Sequence, residues 1–151
     1  MKQYSFAAVD LFIDEVQIEG FPDADSVINI GRDADQHAKV MDARGKMVAV
    51  SSADKSGTAF FDILQTSDSA QWLQTRALLT QDIATSGGSD LFIPIQLRLV
   101  DKMGKAVATG VNGMMVRQPG FARGTGLAVE RWVLQFEQVW MLRGQSGNAG
   151  L

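Results

Sequence analysis

The 151-residue sequence contains no cysteine and only one histidine, His37. The absence of cysteine excludes disulfides, thiolate metal sites and thiol catalysis. One histidine cannot complete a metal site from a histidine pair, and His37 lies in a polar segment, where an imidazole is usually only solvated. No serine lies in a GxSxG motif, so no activated nucleophile is indicated. The sequence therefore predicts a protein that is not an enzyme, with no metal site and no cofactor.

The chain also lacks a strong charge bias and a long apolar run. Its net charge of −3 argues against a protein that binds nucleic acid by neutralising phosphates, although DNA could still slide past it. No apolar run is long enough to span a bilayer. Acidic residues interrupt the N-terminal segment too early for a signal peptide. We expect synthesis in the cytoplasm and no membrane partner.

What is present is the composition of an ordinary globular domain. Hydrophobic residues make up 46% of the chain and charged residues 21%, and this length suits one domain spanning residues 1–151. The small, polar residues 144–151 are predicted to form a flexible C-terminal tail.

Most of the hydrophobic pattern has the period of two that is typical of strands. Thr58–Gln65 is rich in aromatic and branched residues and is predicted to be a strand that is largely buried on both faces. Asn112-Gly113 indicates a bulge within the strand from Ala106 to Arg117, and Pro94 places the start of the strand Leu91–Val100 at an edge or bulge. Other strands are predicted at Tyr4–Ile13, Val16–Ile18, Val27–Ile30, Lys46–Val50 and Glu130–Leu142. In the last of these, five residues are predicted to share one face: Trp132, Leu134, Phe136, Trp140 and Leu142.

One segment has the period of a helix. Asp68 or Ser69 can cap its first turn, because a side-chain oxygen there accepts hydrogen bonds from unpaired backbone N–H groups. The helix is predicted to run to about Thr85, with Gly87-Gly88 as its stop. Three residues at helical spacing are predicted to anchor it to the core: Trp72, Leu79 and Ile83. The sequence thus predicts a mainly β fold, a β-sandwich or barrel with one flanking α-helix.

The segment from Arg32 to Lys55 interrupts this pattern. It begins with the most polar stretch of the chain, Gly31–Val40, which offers no apolar face. Asp42–Gly45 is typical of a tight turn. We predict an extended, charged hairpin with a mobile tip, because excursions of this length are usually functional or disordered.

The sequence gives little indication of catalysis by paired carboxylates or of calcium binding. Carboxylates are numerous, but no two of them stand out as a catalytic pair, and the aspartates near residue 35 lack the spacing of a calcium loop. A small β-barrel that binds an apolar ligand remains an alternative, with a pocket predicted from Met114, Met115, Trp132 and Trp140. Self-association is favoured by the long hairpin, by the strand edges and by strands that carry apolar residues on both faces. Monomers normally suppress exposed edges.

Four stretches together resemble one family: IEGFPDADSVINIGRDAD, SSADKSGTAFFDILQTSDSA, GMMVRQPGFARG and ERWVLQFEQVWMLRG. They are similar to the tail tube proteins of contractile-tailed bacteriophages and related prophages, in matching order across about Tyr4 to Gly144. The resemblance implies the β-sandwich or barrel with a flanking helix that these proteins share with type VI secretion tube proteins.

The resemblance also implies a function. Copies would form hexameric rings that stack into a hollow conduit for DNA inside a contractile sheath. The partners would be other copies, the sheath, a tape-measure protein and baseplate proteins, in a virion tail assembled in the bacterial cytoplasm. DNA would pass through the lumen without specific binding. The alternative within this setting is a tail-terminator or baseplate tube-initiator subunit, which forms a single ring.

The resemblance assigns roles to particular residues. The hairpin, residues 32–55, would reach an adjacent ring through Arg32, Asp33, Asp35, His37, Lys39, Asp42, Arg44, Lys46, Asp54 and Lys55. A negative lumen would keep DNA from adhering, and the candidate acids are Asp10, Asp14, Asp62, Glu130 and Glu137. Such repulsion is consistent with the net negative charge.

Overall fold

The computed structural model describes residues 4–85 and 93–143, with side chains for residues 4–78 and 93–143. Its strands are β1 (Val9–Ile13), β2 (Val16–Ile18), β3 (Ile28–Arg32), β4 (His37–Met41), β5 (Met47–Ser51), β6 (Gly57–Leu64), β7 (Ile95–Asp101), β8 (Ala106–Arg117) and β9 (Val129–Arg143). A short 3-10 helix, Phe6–Ala8, precedes β1, and the helix α1 (Asp68–Thr85) follows β6. The predicted class, mainly β with a flanking helix, is confirmed.

Seven strands form one antiparallel sheet in the order β2-β1-β7-β8-β9-β6-β3. The two end strands of this order are β2 and β3. The segment that connects them is hydrogen-bonded to β6, which places both end strands near β6. There the backbone N–H of Leu64 donates to the carbonyl of Gly20 at 2.8 Å, and the N–H of Asp62 donates to the carbonyl of Val27 at 2.9 Å. The sheet is therefore curled almost to closure around one core.

The core is continuous and draws on both the sheet and the helix. Its buried members are Leu11, Ile13, Ile18, Ala59, Phe61, Ile63, Ala70, Leu73, Ile95, Leu97, Trp132, Leu134, Phe136 and Val139. The strand β6 departs from its predicted burial on both faces, because Thr58, Phe60, Asp62 and Leu64 alternate with its core residues and are only partly buried. Its outer face is covered only in part by the residues that the structure describes.

A bulge interrupts the pairing of β7 with β8. Ile95 pairs with Gly113 and Leu97 pairs with Gly110, so β8 contains one more residue than β7 over the same length. Asn112 lies at this bulge, and its φ of 53° is in the left-handed region that asparagine tolerates. The predicted bulge at Asn112-Gly113 is confirmed.

The same bulge changes which residues of β9 face inward. Because β9 stays in register with β8 across it, β9 takes up one extra residue as well. Phe136 and Val139, three residues apart, are both buried, although strict alternation would place them on opposite faces. Trp140 and Leu142 consequently turn outward and are 45% and 71% exposed. The prediction that they share the face of Trp132 is wrong for this reason.

The helix α1 has the predicted range but a different cap. The backbone N–H of Ser69 donates to Ser67 Oγ at 3.2 Å, so Ser67, rather than Asp68 or Ser69, is the N-cap. The oxygen of Ser69 is occupied elsewhere, because it accepts a hydrogen bond from the N–H of Glu19 at 2.9 Å. The Ser67 hydroxyl in turn donates to the carbonyl of Glu19 at 2.6 Å, so the two serines join the start of α1 to the end of β2.

The helix packs on the core mainly through Leu73, which is fully buried, while the predicted anchor Trp72 is partly buried against the core. The other predicted anchors, Leu79 and Ile83, lie outside the residues whose side chains are described, and the predicted stop at Gly87-Gly88 lies outside the described residues. Within the described part of the chain, no helix has the length and apolar character needed to cross a membrane.

Candidate assembly site: hairpin, hairpin root and groove

The segment 32–55 contains a β-hairpin that stands apart from the main sheet. Its strands β4 and β5 form a separate two-stranded sheet, and all ten of their residues are exposed. At the predicted turn, the N–H of Gly45 donates to the carbonyl of Asp42 at 3.0 Å, and Gly45 has φ of 79°. The Asp42 carboxylate also accepts from the N–H groups of Arg44 and Lys46 at 2.9 and 2.8 Å. The tip is therefore held by its own hydrogen bonds.

One face of this hairpin is apolar. Ala38 pairs with Val50 and Val40 with Val48, so these four side chains project from the same side. The three valines are 49–50% exposed. The prediction that the first arm offers no apolar face is wrong, because the face is completed across the strand pair by residues of β5. We call Ala38, Val40, Val48 and Val50 the valine face.

The opposite face of the hairpin is mixed. Lys39 lies across from Ala49, and the Ser51 hydroxyl lies 3.2 Å from His37 Nδ1. His37 is exposed. The described residues contain no cluster of three or more His, Asp and Glu side chains that could hold a metal ion.

The hairpin root, where both arms leave the sheet, rests on β9. Arg32 Nε donates to the carbonyl of Val139 at 2.9 Å, and the N–H of Val139 donates to the carbonyl of Lys55 at 2.9 Å. Arg32 Cζ lies 5.3 Å and Lys55 Nζ 4.6 Å from the ring centroid of Trp140. Trp140 therefore forms a cation–π contact with the first and the last residue of the predicted hairpin segment.

Two acidic residues also brace the root. The Thr58 hydroxyl donates to Asp33 Oδ1 at 2.8 Å, and the N–H of Ser56 donates to Asp54 Oδ1 at 2.9 Å. Hydrogen bonding from the Ser56 side chain, and then from its backbone, lowers the pKa of Asp54. Thus four predicted stacking residues lie at the root: Arg32, Asp33, Asp54 and Lys55. The other six lie on the arms and turn: Asp35, His37, Lys39, Asp42, Arg44 and Lys46.

A second apolar surface lies where the curled sheet stays open. It is a groove of about 700 Å³ between β3 and the strands β1, β7, β8 and β9. Its apolar walls include Val9, Ile28, Ile30, Leu99, Ala108 and Met141, and its charged lining residues are Asp25, Asp101 and Arg143. The residues predicted to line a ligand pocket do not do so together, because Trp132 is buried in the core while Met114 and Trp140 are exposed.

Four of the five predicted lumen acids are paired with basic side chains. Asp10 lies 3.3 Å from Lys102, Asp14 3.1 Å from Arg76, Asp62 2.8 Å from Arg131 and Glu130 3.8 Å from Arg123. Glu130 is also buried, with 5% of its surface exposed. Glu137 is exposed and accepts a hydrogen bond from Asn112. Of the five, only Glu137 offers an exposed carboxylate without a salt bridge among the described residues.

The ion pair of Asp62 and Arg131 is bidentate. Arg131 donates through Nε at 2.8 Å and Nη2 at 3.1 Å to the two carboxylate oxygens, and its guanidinium lies 4.8 Å from the Phe60 ring centroid. The hydrogen bond that Arg131 donates to the carboxylate, and then the negative charge of Asp62, raise the pKa of Arg131. This pair covers the outer face of β6, which the core leaves partly open.

A nearly closed antiparallel sheet, one flanking helix and a projecting hairpin define the class of fold. Solved structures of similar fold come from contractile injection systems. The first is an anti-feeding prophage cap, the AFP tube terminating cap, with a TM-score of 0.58, 12% identity and coverage of 95% of each chain. No protein-family model matches the sequence, and no curated protein is significantly similar to it.

Two further similar structures come from an extracellular contractile injection system. A chain of the PVC sheath–tube complex in the extended state has a TM-score of 0.56 and 12% identity, covering 89% of this chain and 88% of that one. The PVC sheath/tube terminator in the extended state has a TM-score of 0.54 and 13% identity, covering 94% and 98%. The fold implied by the resemblance to tail tube proteins is thus confirmed over nearly the whole chain.

Proposed function

We propose that this protein is a structural subunit of a bacteriophage or prophage tail tube. Copies form hexameric rings that stack into a hollow conduit for DNA within a contractile sheath. The observation that carries the proposal is a hairpin whose strand residues are all exposed, on a chain with the fold of tube-terminating proteins. An isolated two-stranded hairpin is at best marginally stable in water, so this one needs a surface on another molecule.

In this proposal the hairpin, residues 32–55, contacts an adjacent ring, and the root on Trp140 sets its direction. Glu137 is the best of the lumen candidates, because the other acids are neutralised by basic neighbours. The further partners are the sheath, a tape-measure protein and baseplate proteins, in a tail assembled in the host cytoplasm. The protein performs no catalysis and needs no cofactor.

A tail-terminator or tube-initiator subunit is the second candidate. Two of the similar structures are described as a tube terminating cap and a sheath/tube terminator. A subunit of this kind would close one ring and stop, while a tube subunit would continue to stack.

A third candidate, from another class, is a monomeric barrel that binds a small apolar ligand. The groove of about 700 Å³ lies within the ordinary volume range of ligand sites. Saturable binding of an apolar compound by a monomer would favour this candidate over both assembly roles.

Electron microscopy of the purified protein, together with light scattering over a range of concentrations, tests the proposal. We expect stacked rings of uniform width. Single rings that never stack would favour the terminator or initiator role. A strictly monomeric species at high concentration would exclude both.

A further inference from the structure

We propose that the valine face of the hairpin packs into the groove of a second copy of this chain. This inference rests on the proposed function, which requires contacts between copies, and it names the two surfaces that meet. Each is apolar, and each lacks a covering in the described part of the chain: the valines are about half exposed, and the groove is open.

The pairing of β4 with β5 allows the hairpin to present the valine face to a neighbouring molecule. Ala38, Val40, Val48 and Val50 lie side by side on two adjacent strands, so they form a flat strip without polar side chains. The backbone of the tip is satisfied by hydrogen bonds within the turn. Burying the strip therefore removes apolar surface from water without leaving the N–H groups of the turn unpaired.

The charges around the two surfaces are complementary. Around the tip, Lys39, Arg44 and Lys46 are basic and Asp42 is acidic, so the formal net charge there is positive. Two carboxylates, Asp25 and Asp101, line the groove against one arginine, Arg143. Opposite charge at the margins of an apolar contact favours one partner and one orientation.

A second copy can supply a partner for each surface, because this chain carries both the valine face and the groove. A contact between two different patches of identical chains is heterologous, and such contacts build rings or open-ended stacks. A contact of the hairpin with the groove of its own chain is not the arrangement observed, because all ten residues of β4 and β5 are exposed.

Cysteine cross-linking tests the contact cleanly, because the natural sequence has no cysteine. One protein carries Val48→Cys on the valine face, and a second, size-tagged protein carries Met141→Cys on the groove wall, where Met141 is half exposed. The two are mixed, assembled and oxidised. We expect a disulfide-linked heterodimer as the main product. Ala49→Cys, one residue away on the opposite hairpin face, is the matched control and should give none, since its Cβ points away from the groove.

The outcomes separate this inference from the proposed function. If the wild-type protein forms rings or tubes but Val48→Cys does not cross-link to Met141→Cys, the docking is overturned and the structural role stands. In that case another segment or an apolar ligand fills the groove. Equal cross-linking of Val48→Cys and Ala49→Cys would also overturn the docking. If the wild-type protein stays monomeric, the docking and the proposed function fail together.

Discussion

At the scale of single residues, the acids of this protein serve mainly to hold its elements together. Asp14 lies in the two-residue turn between β1 and β2, where it and Glu15 have φ of 50° and 67°, as a type I′ turn requires. One Asp14 oxygen accepts from the N–H of Gln96 and the other from Arg76. Arg76 also donates to the carbonyl of Pro94, so one guanidinium joins α1, the turn and the start of β7.

Replacing Arg76 with methionine should destabilise the fold. The Arg76 and Asp14 side chains are only 11% and 27% exposed, so the change leaves a carboxylate partly buried without its cation. We expect a loss of about 1–3 kcal/mol in the free energy of unfolding, measured by urea denaturation at neutral pH.

Lys102→Met is the matched control, because Lys102 is 69% exposed in its pair with Asp10. Exposed pairs contribute about 0–1 kcal/mol, so this variant should unfold close to the wild type. Equal losses in the two variants would mean that Arg76 has no special role in joining the three elements.

At the scale of elements, the hairpin has no core of its own, and its direction depends on its root. The arms leave the sheet at Arg32 and Lys55, and both side chains lie over the ring of Trp140. Trp140 is available for this contact only because the bulge in β8 and β9 turns it outward. The irregular part of the sheet therefore positions the part of the chain that projects furthest from it.

Replacing Trp140 with leucine should loosen the hairpin without unfolding the sheet. Losing the two cation–π contacts removes about 1 kcal/mol of local stability, roughly a fivefold change in an opening equilibrium. We expect faster tryptic cleavage after Lys39, Arg44 and Lys46, which lie on the arms and turn.

Trp140→Phe keeps an aromatic face and should be cleaved at a rate between those of the wild type and the leucine variant. Cleavage after Arg98, within the central strand β7, serves as the internal control and should not change. If all three proteins are cleaved alike in the hairpin, Trp140 does not restrain the root.

At the scale of the whole molecule, the curled sheet and the hairpin are separable units. The core joins the sheet to α1, and no residue of β4 or β5 belongs to it. Shortening the hairpin to a tight turn between Ala34 and Ala53 should therefore leave the unfolding midpoint and the circular dichroism of the sheet nearly unchanged. It should abolish stacking, seen by electron microscopy as rings or monomers in place of tubes.

A short deletion of residues 124–126, which are exposed, lie outside the regular strands and exclude Arg123, the partner of Glu130, should leave stacking intact. Tubes of normal length from the protein with the shortened hairpin would show that the stacking assignment is wrong.

The sequence was a good guide wherever one strand or helix determines its own pattern. The helix range, the turn at Asp42–Gly45 and the bulge at Asn112-Gly113 follow from local chemistry, and the structure has all of them. The resemblance of four stretches to tail tube proteins added the overall architecture.

The features that escaped prediction depend on contacts between distant segments. The valine face exists only because β5 pairs with β4 in one register, which alternation within either strand does not specify. The outward position of Trp140 depends on β9 following the bulge of β8. The ion pairs of the acids join residues up to 69 positions apart, so a list of carboxylates gave no sign that most are neutralised.

The extra residue shared by β8 and β9 also limits how the length of this chain can change during evolution. Losing one residue from β8 alone would break its match to β9. Losing one from each would preserve the match and restore strict alternation, so Val139 would still face inward and Trp140 outward. Changes of length here should therefore occur in both strands together. Descendants of the same ancestor are expected to have a spacing of three or two between the buried positions occupied here by Phe136 and Val139, with the same change in β8, even after most identities have been lost.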